Sequence, residues 1–427
     1  MALQGLLATS RRRAALVFAA AFALRLGYAA ATTAGRGELV ADARDYSSYA
    51  QSLIQTGTYR DAAGARADRM PGYPLFLAAL FCLFGTSVAA VQAVQCALGA
   101  ATCVLVLELG SDWLGPGWGL AGGLGAACYF DLFSTSARLL TETLAAFLLT
   151  LLFLLYSRRR PARPRDAAAM GLVAGALYLV RPEFSLFALL LAALLLLELW
   201  PVSRRRAAAC AGALLLGLSL FALPWALRNK AVLGRMVLTS TAGPLNLYLG
   251  IPRTAHERFG LLPTAYVPLP ALPAMGELAA MDFFRARAVR LCAALSAGQI
   301  ARALLFNTLI QYYPFHPGYD PTLVFWLPFW LWGAWLCRGE RRAWPLAAAL
   351  LYLTAVYDVV AVMQARHRQV LGPAAILLGL WGLRELRRRL SGPGFRRVLL
   401  FWAAANACVW AFAPRVRQAA LLLRDLL

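Results

Sequence analysis

The chain has 427 residues, 61% of them hydrophobic and only 15% charged, yet 42 basic against 20 acidic side chains leave a net charge of +22. A soluble globular chain is nearer half apolar and a quarter charged. The composition therefore excludes an ordinary soluble enzyme, a disordered chain and a disulfide scaffold. On so apolar a chain, excess positive charge marks the cytoplasmic loops of a polytopic membrane protein rather than a nucleic-acid partner. The eight cysteines sit mostly inside apolar runs without a CxxC pair, and read as small hydrophobes.

Apolar runs of about 17–25 residues read as membrane helices. The first, 14–33, follows Arg11–Arg13 as a signal peptide would, but Arg25 interrupts it, which favours a retained helix. The segment 34–87 reads as a first outer loop. In it, Asp42, Asp45, Tyr46, Tyr49 and Leu53 follow 3–4 spacing and share one face of a short helix. Two carboxylates just outside a membrane suit a metal, or a base acting on a hydroxyl. Because caps are common, the spacing alone favours a helix cap at Asp42 and an arginine partner for Asp45.

Arg69-Met70-Pro71-Gly72-Tyr73-Pro74 turns the chain sharply into an apolar stretch, 73–85, too short to span and read as interfacial. Arg69 is placed to meet an anionic head group or bulk lipid phosphate. Runs follow at 88–110, 115–133, 139–156, 167–181, 183–200 and 207–227. Gly117, Gly119 and Gly122 match G-x-G-x-x-G, but no strand precedes them, so a dinucleotide site is excluded by context. Gly171 and Gly175 form a GxxxG pair suited to close helix packing. Glu142 falls at the outer end of an apolar run, where a carboxylate costs about 2–3 kcal/mol unless paired or functional. Arg138, four residues earlier, is the simplest partner.

A second outer segment, 228–321, contains a proline-rich stretch at 262–275 (Pro263, Pro268, Pro270, Pro273), read as irregular and exposed. Four more runs, 322–337, 344–363, 369–386 and 398–413, bring the expected total to about eleven spans in a single membrane domain, 1–427. With a cytoplasmic N-terminus, Arg11–Arg13, Arg158–Arg165, Arg204–Arg206, Arg338–Arg342 and Arg384–Arg397 all fall inside. The two long segments then meet on the outer face. Arg366-His367-Arg368 lies there too, against the positive-inside trend, and suits either a held phosphate or ordinary lipid. Arg181-Pro182-Glu183 forms a similar outer turn.

At these residues the chain resembles GT-C fold glycosyltransferases of the protein O-mannosyltransferase and aminoarabinose transferase-like family, bacterial family 39-like. The matching pieces are Leu24-Arg25-Leu26, the Asp-x-x-x-Tyr of Asp42 and Tyr46, Gly57-Thr58-Tyr59, Arg69-Met70-Pro71-Gly72-Tyr73-Pro74, Leu140-Thr141-Glu142, Pro224-Trp225-Ala226-Leu227-Arg228-Asn229 and Arg366-His367-Arg368 ahead of Pro373. They cover about residues 12–390. The resemblance implies an all-α polytopic bundle with two large outer loops. It also implies transfer of a sugar, with inversion, from a polyprenyl-phosphate donor to a lipid, glycan or protein acceptor.

By motif, Asp42 would be the catalytic base, with Asp45 a secondary candidate and Glu142 a second acid. Arg69, Arg366, His367 and Arg368 would hold the donor phosphate. A divalent cation, Mg or Mn, is an option at Asp42 and Glu142, although Ala43 stands where relatives commonly carry another acid. The resemblance implies a bacterial inner-membrane protein with its site facing the periplasm or exterior, membrane lipids around it and no nucleic-acid partner. The rival class is a transporter or flippase of lipid-linked sugars, for which polar groups should gather at the membrane midplane.

Overall fold

The structure is a computed structural model that describes residues 9–33, 42–158, 163–250, 275–314, 320–360 and 365–415. The side chains of Ala365 and Arg366 fall outside the described set, as does the proline-rich stretch through residue 274. Among the described residues the regular structure is helical: α1 Ser10–Thr33, α2 Asp42–Thr56, α3 Gly72–Phe84, α4 Val88–Leu114, α5 Pro116–Cys128, α6 Phe130–Thr135, α7 Glu142–Arg158, α8 Pro164–Val180, α9 Phe184–Leu199, α10 Arg204–Leu233, α11 Gly243–Leu249, α12 Glu277–Ala293, α13 Ala297–Gln311, α14 Pro321–Leu336, α15 Trp344–Val360, α16 Gly372–Arg389 and α17 Gly392–Ala411. A 3-10 segment, Ala365–Leu371, leads into α16.

Four of the expected runs form stretches long and apolar enough to cross a bilayer: Ser10–Thr32, Val88–Leu114, Arg204–Leu233 and Arg341–Val360. The others form helices of 6 to 20 residues. The stretch 73–85 forms the short apolar helix α3, whose end leaves Leu83 and Phe84 exposed. Local chemistry sets many of the boundaries. Ser87, Ser203 and Asp320 cap α4, α10 and α14 by accepting backbone N–H bonds, which satisfies donors that have no partner inside the helix. Pro116 opens α5, where its missing N–H costs nothing.

The bundle core is built by α8 against α10, α14 against α16, and α4 against α1, α5 and α7. The GxxxG expectation holds: a side chain at Gly171 would strike the Leu214 carbonyl of α10, and one at Gly175 would strike Phe221. At the end of α7, Arg158 bridges Glu108 at 2.6 Å and Asp112 at 2.7 Å on α4.

Two boundaries differ from expectation. The run 115–133 is broken at Tyr129, which is extended between α5 and α6. Arg25, completely buried, lies beneath the break and donates to the carbonyls of Ala126 (3.3 Å), Ala127 (3.4 Å) and Ala21 (3.1 Å). Terminal helix carbonyls are unpaired and carry negative partial charge, so α5 itself supplies acceptors for a cation in an apolar setting. The run 139–156 begins as helix only at Glu142, because residues 136–141 form turns.

Candidate active site

The segment between α1 and α4 folds around Arg69. Its Nη2 bonds Asp42 Oδ1 at 3.0 Å and Asp45 Oδ2 at 2.8 Å, both on the first turn of α2, while Nη1 lies 3.4 Å from Asp68. The arginine partner expected for Asp45 is thus Arg69, and it is shared with Asp42. Burial works to pull the guanidinium down, but Asp68, Tyr46, Asp42 and the Asp45 bond outweigh it and hold Arg69 above its usual range. Burial pushes the Asp68 carboxyl up, against the pull of Arg69. Tyr46 is also raised, chiefly by burial, and keeps its proton.

Each motif around this cluster has a mechanical role. Gly57 ends α2 in a left-handed conformation (φ 67°) and returns its N–H to Leu53. Tyr59 then stacks on Tyr49 with ring centroids 4.4 Å apart, meets the edge of Trp225, and donates from its hydroxyl to the Arg69 carbonyl at 3.0 Å. Gly72 sits so close to α8 that an added Cβ would lie 2.6 Å from the Leu179 carbonyl carbon. Tyr73 donates to Gln95, whose amide binds the carbonyls of Ser136 and Arg138. The arginine-to-proline motif is therefore a bracket that seats Arg69 between α2, α4 and α8. Gly72→Ala forces backbone apart from backbone, and overpacking of this kind costs about 1–3 kcal/mol. A thermal melt of the detergent-solubilised protein should show that loss; an unchanged midpoint would show that the bracket is pliable.

Glu142 is buried and pairs with Arg181 Nη1 at 3.4 Å. The expected pair with Arg138 does not form. Arg138 lies in the turn before the helix, so the i,i+4 geometry of a helix is absent. Arg181 also binds Glu183 (2.6 Å), Thr141 (3.2 Å) and the hydroxyl of Tyr357 (3.1 Å), and His367 stacks on the Tyr357 ring with centroids 4.9 Å apart. Tyr46, whose ring meets Tyr73 edge-on, is within electrostatic reach of both Asp42–Arg69 and Glu142–Arg181. No motif marks Arg181, Glu183 and Tyr357 as site residues. The sequence signal for Arg181 is a charged turn closing an apolar run.

Arg368, expected at the donor phosphate, is held by other acceptors in this structure. Its side chain is buried. It binds Asp131 Oδ2 at 2.9 Å, Asp320 Oδ2 at 3.3 Å and the carbonyls of Gln311 and Tyr313. A guanidinium enclosed by two carboxylates and two carbonyls ties α6, α13 and the start of α14 together, and does not present itself to a phosphate. The side chain of Arg366 lies outside the described residues.

The expected cation site has no matching donor set. Asp42 and Glu142 each carry an arginine, and among the described residues no three His, Cys, Asp or Glu side chains converge as metal ligands.

No protein-family model matches the sequence, and no curated protein matches it either. Solved structures do. ArnT from Cupriavidus metallidurans bound to undecaprenyl phosphate aligns with 94% of this chain and 65% of its own, at 13% identity and a TM-score of 0.59. The archaeal oligosaccharyltransferase AglB from Archaeoglobus fulgidus, in complex with an inhibitory peptide and a dolichol-phosphate, aligns with 96% of this chain and 55% of its own, at 14% identity and a TM-score of 0.53. The Archaeoglobus fulgidus oligosaccharyltransferase in complex with Zn and sulfate covers 93% of this chain and 51% of its own, at 12% identity and a TM-score of 0.55. The chain thus spans 65% of the first and about half of the other two. With its helical bundle and apolar spans, the likeness establishes an all-α, polytopic fold of the GT-C type.

Proposed function

We propose that this chain is a membrane glycosyltransferase that moves a sugar from a polyprenyl-phosphate donor to an acceptor at the outer face of a bacterial inner membrane. The observation that carries the proposal is Arg69 held by Asp42 and Asp45 at 3.0 and 2.8 Å, in the loop leading into the interfacial helix α3. A cation for a departing phosphate and a carboxylate for an incoming hydroxyl or amine are thereby adjacent at the membrane edge. The fold adds support, since the ArnT and AglB structures of this fold hold undecaprenyl phosphate and a dolichol-phosphate.

In this reading Asp42 takes the proton of the acceptor as its oxygen or nitrogen attacks the anomeric carbon. The carbon–oxygen bond to phosphate breaks on the opposite side, and polyprenyl phosphate leaves with the electron pair. A single displacement of this kind inverts the anomeric centre. Negative charge develops on the leaving phosphate, and a guanidinium fork matches its geometry. Arg366 and His367 stand as further donor-side candidates on the turn before α16. Glu142, kept beside Arg181, is the second acid. Asp45 holds Arg69. Arg368 is assigned instead to the scaffold.

Arg69→Gln should raise the donor KM by about 10- to 100-fold, the cost of about 1.5–3 kcal/mol for a lost charged hydrogen bond. Arg366→Ala should raise it less, since Arg69 remains. Assays of transfer from polyprenyl-phosphate sugar in reconstituted membranes measure both. An unchanged donor KM in Arg69→Gln would remove Arg69 from the phosphate site.

A further inference from the structure

The Arg66–Arg69 segment, which carries the central cation, is gripped from the second outer segment. Glu277 lies on the first turn of α12. Its Oε2 accepts the backbone N–H of Arg66 at 2.7 Å, and its Oε1 accepts both the N–H of Ala67 and the hydroxyl of Thr241, each at 2.7 Å. Thr241 returns its own N–H to the Ala67 carbonyl at 2.9 Å. Arg228 reaches the Arg66 carbonyl at 2.6 Å and the Tyr59 carbonyl at 3.0 Å, and its guanidinium lies over the Tyr59 and Trp225 rings. Trp225 and Asn229 in turn bind the carbonyls of Thr239 and Val237.

We infer that Glu277 is a positioning residue: it is the group through which the second outer segment sets the place of Arg69. The inference rests on the reading of Arg69 as the phosphate-side cation. Three short bonds converge on one carboxylate, and charge-assisted bonds of this kind are about twice as strong as neutral ones. Ala67 and Arg69 are two residues apart, with the Arg69 carbonyl fixed by Tyr59. Little slack remains between the clasp and the guanidinium. Displacing a catalytic group by about 1 Å can cost about 10²-fold in rate, so a carboxylate that touches neither donor nor acceptor can control the reaction from the far loop.

The test has two arms, both on the full chain in nanodiscs. In the first, backbone hydrogen exchange is followed over residues 64–70. Glu277→Gln keeps the shape but turns an NH2 toward N–H donors, so the Arg66 and Ala67 amides should exchange faster while the helices keep their protection. Thr241→Val removes one of the three donors and should show a smaller change in the same direction; it serves where Glu277→Gln does not fold. Unchanged exchange in these variants would overturn the clasp. In the second arm, binding of undecaprenyl phosphate is measured. Glu277→Gln should weaken it by about tenfold or more, in step with Arg69→Gln. Weak binding in Arg69→Gln with wild-type binding in Glu277→Gln would overturn the positioning role. Wild-type binding in both variants, with exchange still accelerated, would instead locate the fault in the phosphate assignment of Arg69.

Discussion

Asp42→Asn should leave a folded protein that transfers sugar about 10²–10⁴ times more slowly, the usual contribution of a positioned general base. The amide keeps an oxygen for Arg69, while Asp45 at 2.8 Å and Asp68 at 3.4 Å still balance the guanidinium. The loss therefore falls on chemistry rather than on assembly. What the amide lacks is the capacity to take the acceptor proton. Asp45→Asn should cost much less, because its carboxylate holds Arg69 rather than the acceptor. The two variants are compared by initial rates at saturating donor, with expression and melting midpoint as controls. Full activity in Asp42→Asn would remove it as the base, and the larger loss in Asp45→Asn would exchange the two roles.

Arg368→Met should be the most damaging substitution for stability. It leaves Asp131 and Asp320 buried without their shared cation. Breaking a buried ion pair from one side costs about 3–5 kcal/mol, because the remaining charge has lost both water and partner. The carbonyls of Gln311 and Tyr313 lose their donor as well. Arg368→Lys should recover only part of the loss, since a compact ammonium cannot span both carboxylates as the planar fork does. Size-exclusion profiles and thermal melts in detergent measure this. A Met variant that is stable but no longer binds undecaprenyl phosphate would return Arg368 to the donor site.

The physical basis of these two predictions also separates what the sequence discloses from what it hides. Spans are legible because a bilayer demands long apolar helices whatever their neighbours. The arginine-to-proline motif and the Pro-Trp-x-x-Arg-Asn motif are legible as landmarks. In the structure the first is the bracket for Arg69, and the second ties the end of α10 to the Arg66 and Val237 carbonyls. Partners across the fold are not legible in this way. Arg368 and Asp131 are 237 residues apart, and nothing local pairs them. Asp131 carries the same signal as Glu142, a carboxylate in an apolar run. The i,i+4 rule misassigns Glu142 because it presumes helix at Arg138, where the chain turns. Glu277 has no sequence signal, since an acid opening a helix is ordinary.

A glycosidic bond made and broken at the outer face is what distinguishes a transferase of this fold from a flippase. The decisive experiment supplies the reconstituted chain with polyprenyl-phosphate sugar labelled separately in the sugar and in the phosphate, in membranes that contain native acceptors. The labels should part: sugar appears on an acceptor with inverted configuration, while phosphate stays on the lipid, and Asp42→Asn abolishes the separation. Donor that crosses the bilayer with both labels still joined, equally well in wild type and Asp42→Asn, would refute the transferase reading and identify a flippase.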